Sequence, residues 1–194
     1  MIKEMEVFPT LVTVVSNFLD DKFRENLISY VKNNVSVDDH PSLSSESKSS
    51  FNTSYSVLLS YNNIDLIRKV ELEINKVANR MGLSPQLLYN SWINFQKKDS
   101  KLRRHKHKNS FISGAIYLNV DDDSSKLYFY NPNPYIFMVE YESQNKYNYE
   151  HVWVQPKNGD LILFPSWLSH GSDEKINKTK ERIVLSFNSR KVNE

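Results

Sequence analysis

Residues 159–170 read Gly-Asp-Leu-Ile-Leu-Phe-Pro-Ser-Trp-Leu-Ser-His: a short apolar run that a glycine opens and a proline closes. So few apolar residues between turn signals are too short for a helix and suit a buried strand. Short β-like runs with turn signals between them recur through the second half of the chain, in LYNSWINFQ (88–96), FISGAIYLNV (111–120), KLYFYN (126–131), YIFMVEY (135–141), EHVWVQ (150–155), DLILFP (160–165) and RIVLSFN (182–188). Seven or more short strands in succession predict an antiparallel sandwich or jelly roll. No 20- to 50-residue period is visible, which excludes solenoids and propellers.

Upstream the pattern differs. Phe8–Val15 is β-branched and predicts a strand, and Phe18–Val31 then shifts to helical spacing, with Phe23, Leu27 and Val31 four apart and Asp20 and Asp21 at the favourable end of the dipole. Leu66, Val70, Ile74, Val77, Ala78 and Met81 share one face of a second helix, Ile64–Met81, with Asn63 as its cap and Gly82 just past its end. Between the helices, residues 36–56 are serine-rich and almost free of aliphatics, which predicts a long loop, mobile enough to act as a lid. The expected class is therefore α+β, a jelly roll with N-terminal helices packed on one sheet. Its 194 residues make one domain: a strand, helices and loop over 1–87 and the core over 88–190.

Composition narrows the chemistry. There is no cysteine, which excludes disulfide scaffolds, zinc fingers, iron–sulfur clusters and thiol nucleophiles and suits a reducing cytoplasm. Any metal must then sit on histidine and carboxylate. No apolar run approaches the roughly 20 residues of a membrane span, no signal-peptide core is present, and a formal charge of +2 does not by itself imply nucleic acid.

Five histidines remain to be placed. His40, in the serine-rich loop, and His151, near a strand start, read as surface or locally satisfied residues. His105 and His107 form an H-x-H pair, and a spacing of two on extended chain puts both rings on one face. His170 closes the 159–170 stretch. Two ligands from one strand and a third from a distant one build a facial metal triad with open positions opposite. A second reading stays open, because Lys97, Lys98, Lys101, Arg103, Arg104, Lys106 and Lys108 surround the pair. Such a run is also what a solvated basic strand or a phosphate-contacting patch looks like.

The order H-x-H (105–107), SGAIYLN (113–119), GDLILFPSWLSH (159–170) and ERIVLSFN (181–188) resembles the iron(II)- and 2-oxoglutarate-dependent oxygenases, in particular a small phage and bacterial group, and more distantly the prolyl hydroxylases. The resemblance covers about residues 88–190. It implies Fe(II) held by His105, His107 and His170, with histidine at 107 where most of the superfamily has aspartate. It also implies 2-oxoglutarate held by Arg182, with Tyr117 supporting its distal carboxylate and Ser186 lining the same pocket, and ascorbate as a possible reductant. The implied reaction hydroxylates an unidentified small molecule or protein side chain, with succinate and carbon dioxide as co-products. Without His107 in the shell, the resemblance implies either open coordination of the halogenase kind or loss of activity. The alternatives are a non-catalytic β-sandwich binding nucleic acid or another polyanion through residues 97–108, and a three-histidine hydrolytic zinc enzyme. A nucleic-acid demethylase is disfavoured, since residue 188 is asparagine where that family has a second arginine.

Overall fold

The computed structural model describes residues 3–4, 6–44, 46–53, 56–172 and 174–192. Ten strands run in chain order: β1 (Thr13–Val15), β2 (Asp38–Asp39), β3 (Lys48–Ser49), β4 (Gln86–Lys97), β5 (Ile112–Asn119), β6 (Leu127–Tyr130), β7 (His151–Val154), β8 (Leu161–Pro165), β9 (His170–Gly171) and β10 (Glu181–Lys191). Three helices, α1 (Asp21–Asn34), α2 (Val57–Tyr61) and α3 (Ile64–Arg80), all precede β4. A seven-stranded antiparallel sheet has the order β1-β8-β5-β10-β4-β3-β2, and a three-stranded sheet the order β7-β6-β9. This is the double-stranded β-helix with helices on one sheet that the strand count predicts.

Strand alternation divides the large sheet into two faces. Ile183, Leu185 and Phe187 of β10, with Ile112, Ile116 and Leu118 of β5 and Leu161 and Leu163 of β8, join Leu27 and Val31 of α1 and Leu66, Val70, Ile74 and Val77 of α3 in one core. The other face of the same strands meets the small sheet through Ala115, Tyr117, Ile162, Phe164 and Val184, packed with Leu127 and Phe129 of β6. Each central strand is buried on both sides, so β5 and β8 read as nearly unbroken apolar runs. The caps act where the sequence puts them: Asp20 accepts from the Phe23 N–H at 2.8 Å and Asn63 from that of Leu66 at 2.9 Å, and Gly82 ends α3 at φ 68°.

Several expectations are corrected. The first strand covers only Thr13–Val15, because Phe8, followed by Pro9, sits at φ 58° with its ring 94% exposed. Residues 135–141 are not a strand: Asn133 accepts from the Tyr135 N–H at 3.0 Å, Pro134 occupies the first turn, and a 3₁₀ helix runs from Pro134 to Met138. The serine-rich segment is not a free loop over its described residues. It supplies β2 and β3 to the sheet, and its serines bind the neighbouring backbone. Ser50 Oγ accepts from the Ile93 N–H (3.0 Å), Ser47 Oγ from that of Lys97 (2.9 Å) and Ser44 Oγ from that of Lys101 (2.9 Å). Residues 45, 54 and 55 of that segment lie outside the described residues. The H-x-H pair lies on extended chain, but the regular ladder there shrinks to a single bridge between His105 and His170.

At Gly159 the chain turns into β8 at φ 80°, and an added Cβ would stand 2.3 Å from the Leu19 carbonyl oxygen. Backbone strain and backbone collision add together there, so Gly159→Ala should cost about 2 kcal/mol or more. A drop of roughly 4 to 8 °C in melting temperature by calorimetry checks this.

Candidate metal and 2-oxoglutarate site

On β10, Arg182, Val184, Ser186 and Asn188 point to one side, into a cavity of about 500 Å³ between the two sheets. Register decides their neighbours. Arg182 pairs with Gln96 of β4, Val184 with Asn94 and with Tyr117 of β5, and Ser186 with Trp92 and Ala115. His105, His107 and His170 line the same cavity, so all six residues singled out from sequence come together.

The backbone holds the imidazoles. His105 and His170 exchange N–H···O bonds of 2.9 and 3.0 Å, and the His107 N–H donates to the Ser166 carbonyl at 3.0 Å. One ring nitrogen from each of the three lies within 4.8 Å of the others. The Nδ1 atoms face acceptors: the Arg103 carbonyl at 2.8 Å for His105, the Leu168 carbonyl at 2.8 Å for His170, and Asn188 Oδ1 at 2.6 Å for His107. A carbonyl oxygen can only accept, so each Nδ1 carries the proton and each Nε2 presents a lone pair. Nε2 of His105 and Nε2 of His107 stand 3.1 Å apart. Two lone pairs at that distance repel unless a cation lies between them, and bonds of about 2.1 Å at a right angle span about 3.0 Å. The donor set therefore fits a divalent metal. Neutrality is reinforced by the surroundings. Burial, and next the nearby His105, push His107 down to about 4, against a smaller opposing effect of its Asn188 bond. The same two causes, burial first, with His107 adding to them, drive His170 well below the usual histidine range.

His107 is held by a chain of polar groups. Ser113 Oγ lies 2.7 Å from its Nδ1 and reaches Asn188 Oδ1 and Ser166 Oγ, each at 2.8 Å; Ser166 donates to Ser110 (3.0 Å) and Ser110 to the Ser189 carbonyl (2.8 Å).

Deeper in the same cavity, Arg182 is 3% exposed. Its guanidinium bonds Gln96 Oε1 and lies 5.2 Å from the centre of the Tyr117 ring. It has no carboxylate partner among the ion pairs of the described residues, and its buried Nε has no hydrogen-bond partner. Burial, the larger effect, lowers the Arg182 pKa, and the Tyr117 hydroxyl opposes it. A desolvated guanidinium with donors to spare is a site for an anion, best a carboxylate met side-on. The neighbouring carboxylate of Glu181 is engaged elsewhere, bonding Lys32 at 2.6 Å.

Sequence reasoning missed Gln96, Trp92 and Asn188. A buried strand with a polar side chain at alternate positions, Asn94 and Gln96, was the available signal. His40, read as a surface or locally satisfied histidine, is locally bonded and also reaches the cavity. That ring lines the cavity beside Phe51, with centroids 5.1 Å apart, while its Nδ1 accepts from the Ser42 N–H at 3.2 Å. His151 stays away from the cavity, between Tyr128 and Tyr130. In the basic run Arg103, Arg104, Lys106 and Lys108 are exposed while the intervening histidines are half-buried.

A family model described as "Putative 2OG-Fe(II) oxygenase" matches residues 90–188, about half of the chain. No curated protein sequence matches. Among solved structures, HygX of Streptomyces hygroscopicus with nickel and 2-oxoglutarate bound superposes with a TM-score of 0.63 at 12% identity, over 95% of this chain and 84% of that one. A prolyl-4-hydroxylase of Pseudomonas putida gives 0.63 at 13%, over 95% and 94%. The viral collagen prolyl hydroxylase of Paramecium bursaria Chlorella virus-1 gives 0.57 at 14%, over 93% and 96%. These likenesses show a shared fold. None of this supports a non-catalytic polyanion-binding sandwich, and no helix among the described residues is long and apolar enough to cross a membrane. The chain belongs to the 2OG-Fe(II) oxygenase family, enzymes whose cofactors are iron(II) and 2-oxoglutarate.

Proposed function

We propose that this single-domain enzyme hydroxylates a C–H bond of a small molecule or protein side chain, with His105, His107 and His170 holding iron(II) and Arg182, supported by Tyr117 and Gln96, holding the distal carboxylate of 2-oxoglutarate. Ser186, on the same strand face as Arg182, lines the cosubstrate pocket. The observation that carries the reading is the convergence of three Nε2 lone pairs, each fixed by an Nδ1 proton donated outward. Absence of thiols goes with a cytoplasmic setting for it.

Bound iron and 2-oxoglutarate supply the oxidising power, and the family's co-products are succinate and carbon dioxide. The chain's own residues do the rest. Carbonyls of Arg103 and Leu168 and the side chain of Asn188 keep three rings neutral and aimed inward. Arg182 orients the dicarboxylate from a depth that water does not reach, where the attraction is strongest. Phe164, in ring contact with His170 at 4.5 Å, and Val184 give the interior an apolar wall that keeps water away.

Anaerobic titration with Fe(II), followed by succinate release on adding 2-oxoglutarate, oxygen and ascorbate, tests the reading. Saturable binding of one iron and one 2-oxoglutarate is expected, and chelation should abolish turnover. Retention of turnover after chelation would sink it. Asn188→Ala removes one of the two groups bonded to His107 Nδ1 and leaves Ser113 Oγ, so iron affinity should fall by about tenfold with the fold intact by circular dichroism.

A further inference from the structure

Twenty-five of the described residues line the cavity, and none of those is aspartate or glutamate. Its outer part is built differently from its inner part. Trp92 stands edge-on to His107 (5.5 Å between centroids), Phe51 edge-on to Trp92 (5.1 Å), and His40 edge-on to Phe51 (5.1 Å). An aromatic wall thus runs from the metal ligands to the mouth, where Phe51 is 48% and Tyr89 47% exposed. Lys106 and Lys108 are the exposed charged residues on the lining, and neither has an ion-pair partner among the described residues. Arg190 adds a further cation at this rim, 5.2 Å from the Tyr89 ring centre.

With three neutral imidazoles, a divalent iron and a dianionic cosubstrate cancel. Arg182, Lys106 and Lys108 then leave the loaded cavity positive, where an aspartate at 107 would have removed one charge. A low-dielectric cleft lined by one sign of charge concentrates ligands of the other sign and rejects its own. We infer that the substrate is an anionic molecule with a flat apolar or aromatic body, its carboxylate or phosphate held by Lys106 and Lys108 at the mouth and its ring laid along Phe51 and Trp92. The inference rests on the iron and 2-oxoglutarate reading above. A cavity of about 500 Å³ has room for such a molecule beside the cosubstrate. Cationic substrates, by the same argument, are excluded.

Calorimetry on the anaerobic protein, saturated with Fe(II) and 2-oxoglutarate, separates the two layers. The first titrations establish the loaded complex; failure of iron or 2-oxoglutarate to bind overturns the underlying reading and this one with it. Into the loaded complex go phenylacetate, phenylacetamide, phenethylamine and acetate. Phenylacetate should bind about tenfold or more tighter than the amide and than acetate, with no binding by the amine. In Lys106→Gln/Lys108→Gln the advantage over the amide should shrink to about twofold, with iron and 2-oxoglutarate titrations unchanged. Equal or tighter binding of the amine, no binding of any probe, an undiminished carboxylate preference in the double variant, or phenylacetate affinity that falls as 2-oxoglutarate is raised would each overturn the inference.

Discussion

Replacing His170 by alanine should weaken iron binding by two orders of magnitude or more and lower succinate formation at least a thousandfold, the largest loss expected of any single change. The residue is 3% exposed, and its Nε2 completes a set whose other two members already face each other at 3.1 Å. Two imidazoles with no third partner lose both a coordination bond and the fixed geometry, and outer-shell changes alone cost about 10- to 100-fold. The backbone bridge to His105 does not depend on the side chain, so the variant should fold. Anaerobic calorimetry with Fe(II), or the visible spectrum of a Co(II)-substituted protein, reads the first loss and a succinate assay the second. An alanine variant that keeps iron affinity within about threefold of wild type would remove His170 from the metal shell.

Arg182→Met should act with opposite signs in the two states of the protein. In the ligand-free state it removes a buried guanidinium that has no carboxylate partner among the described residues, and replacing such a charge by an apolar side chain of similar length is neutral or stabilising. Melting temperature should hold or rise. With 2-oxoglutarate present, the variant loses a charge-assisted pair in a dry pocket, worth about 2 to 5 kcal/mol, so the dissociation constant should rise about 30-fold to several thousandfold. Saturating 2-oxoglutarate should consequently stabilise wild type and leave the variant where it was. Thermal melts with and without the cosubstrate, at fixed iron, measure both signs at once. Equal stabilisation of the two proteins would place the cosubstrate elsewhere. Iron binding, set by residues on other strands, should change little.

Much of the frame is written in period and punctuation. Short apolar runs separated by turn residues give β4, β5, β6, β7, β8 and β10, and four-residue spacing gives α1 and α3. The H-x-H pair and the distal histidine are legible because metal ligation needs rings on a shared face. What stayed hidden depends on contacts that carry no period. Serines 44, 47 and 50 bind backbone groups of residues 101, 97 and 93, and no local pattern announces a hydroxyl whose partner lies 43 to 57 residues away. YIFMVEY looks like a strand by composition, yet Asn133 and Pro134 begin a turn there and no neighbouring strand pairs with it. Gln96 and Asn188 are ordinary polar letters until register sets one beside Arg182 and the other beside His107. That His40 also reaches the cavity was hidden because the segment that carries it folds back across the mouth, a long-range event.

The reciprocal N–H···O bonds between His105 and His170 mean that the two distant segments are tied by main chain and not by an ion. Uptake and release of an ion there are then expected to be local exchanges that cost no refolding, so that an enzyme starved of iron would keep its fold.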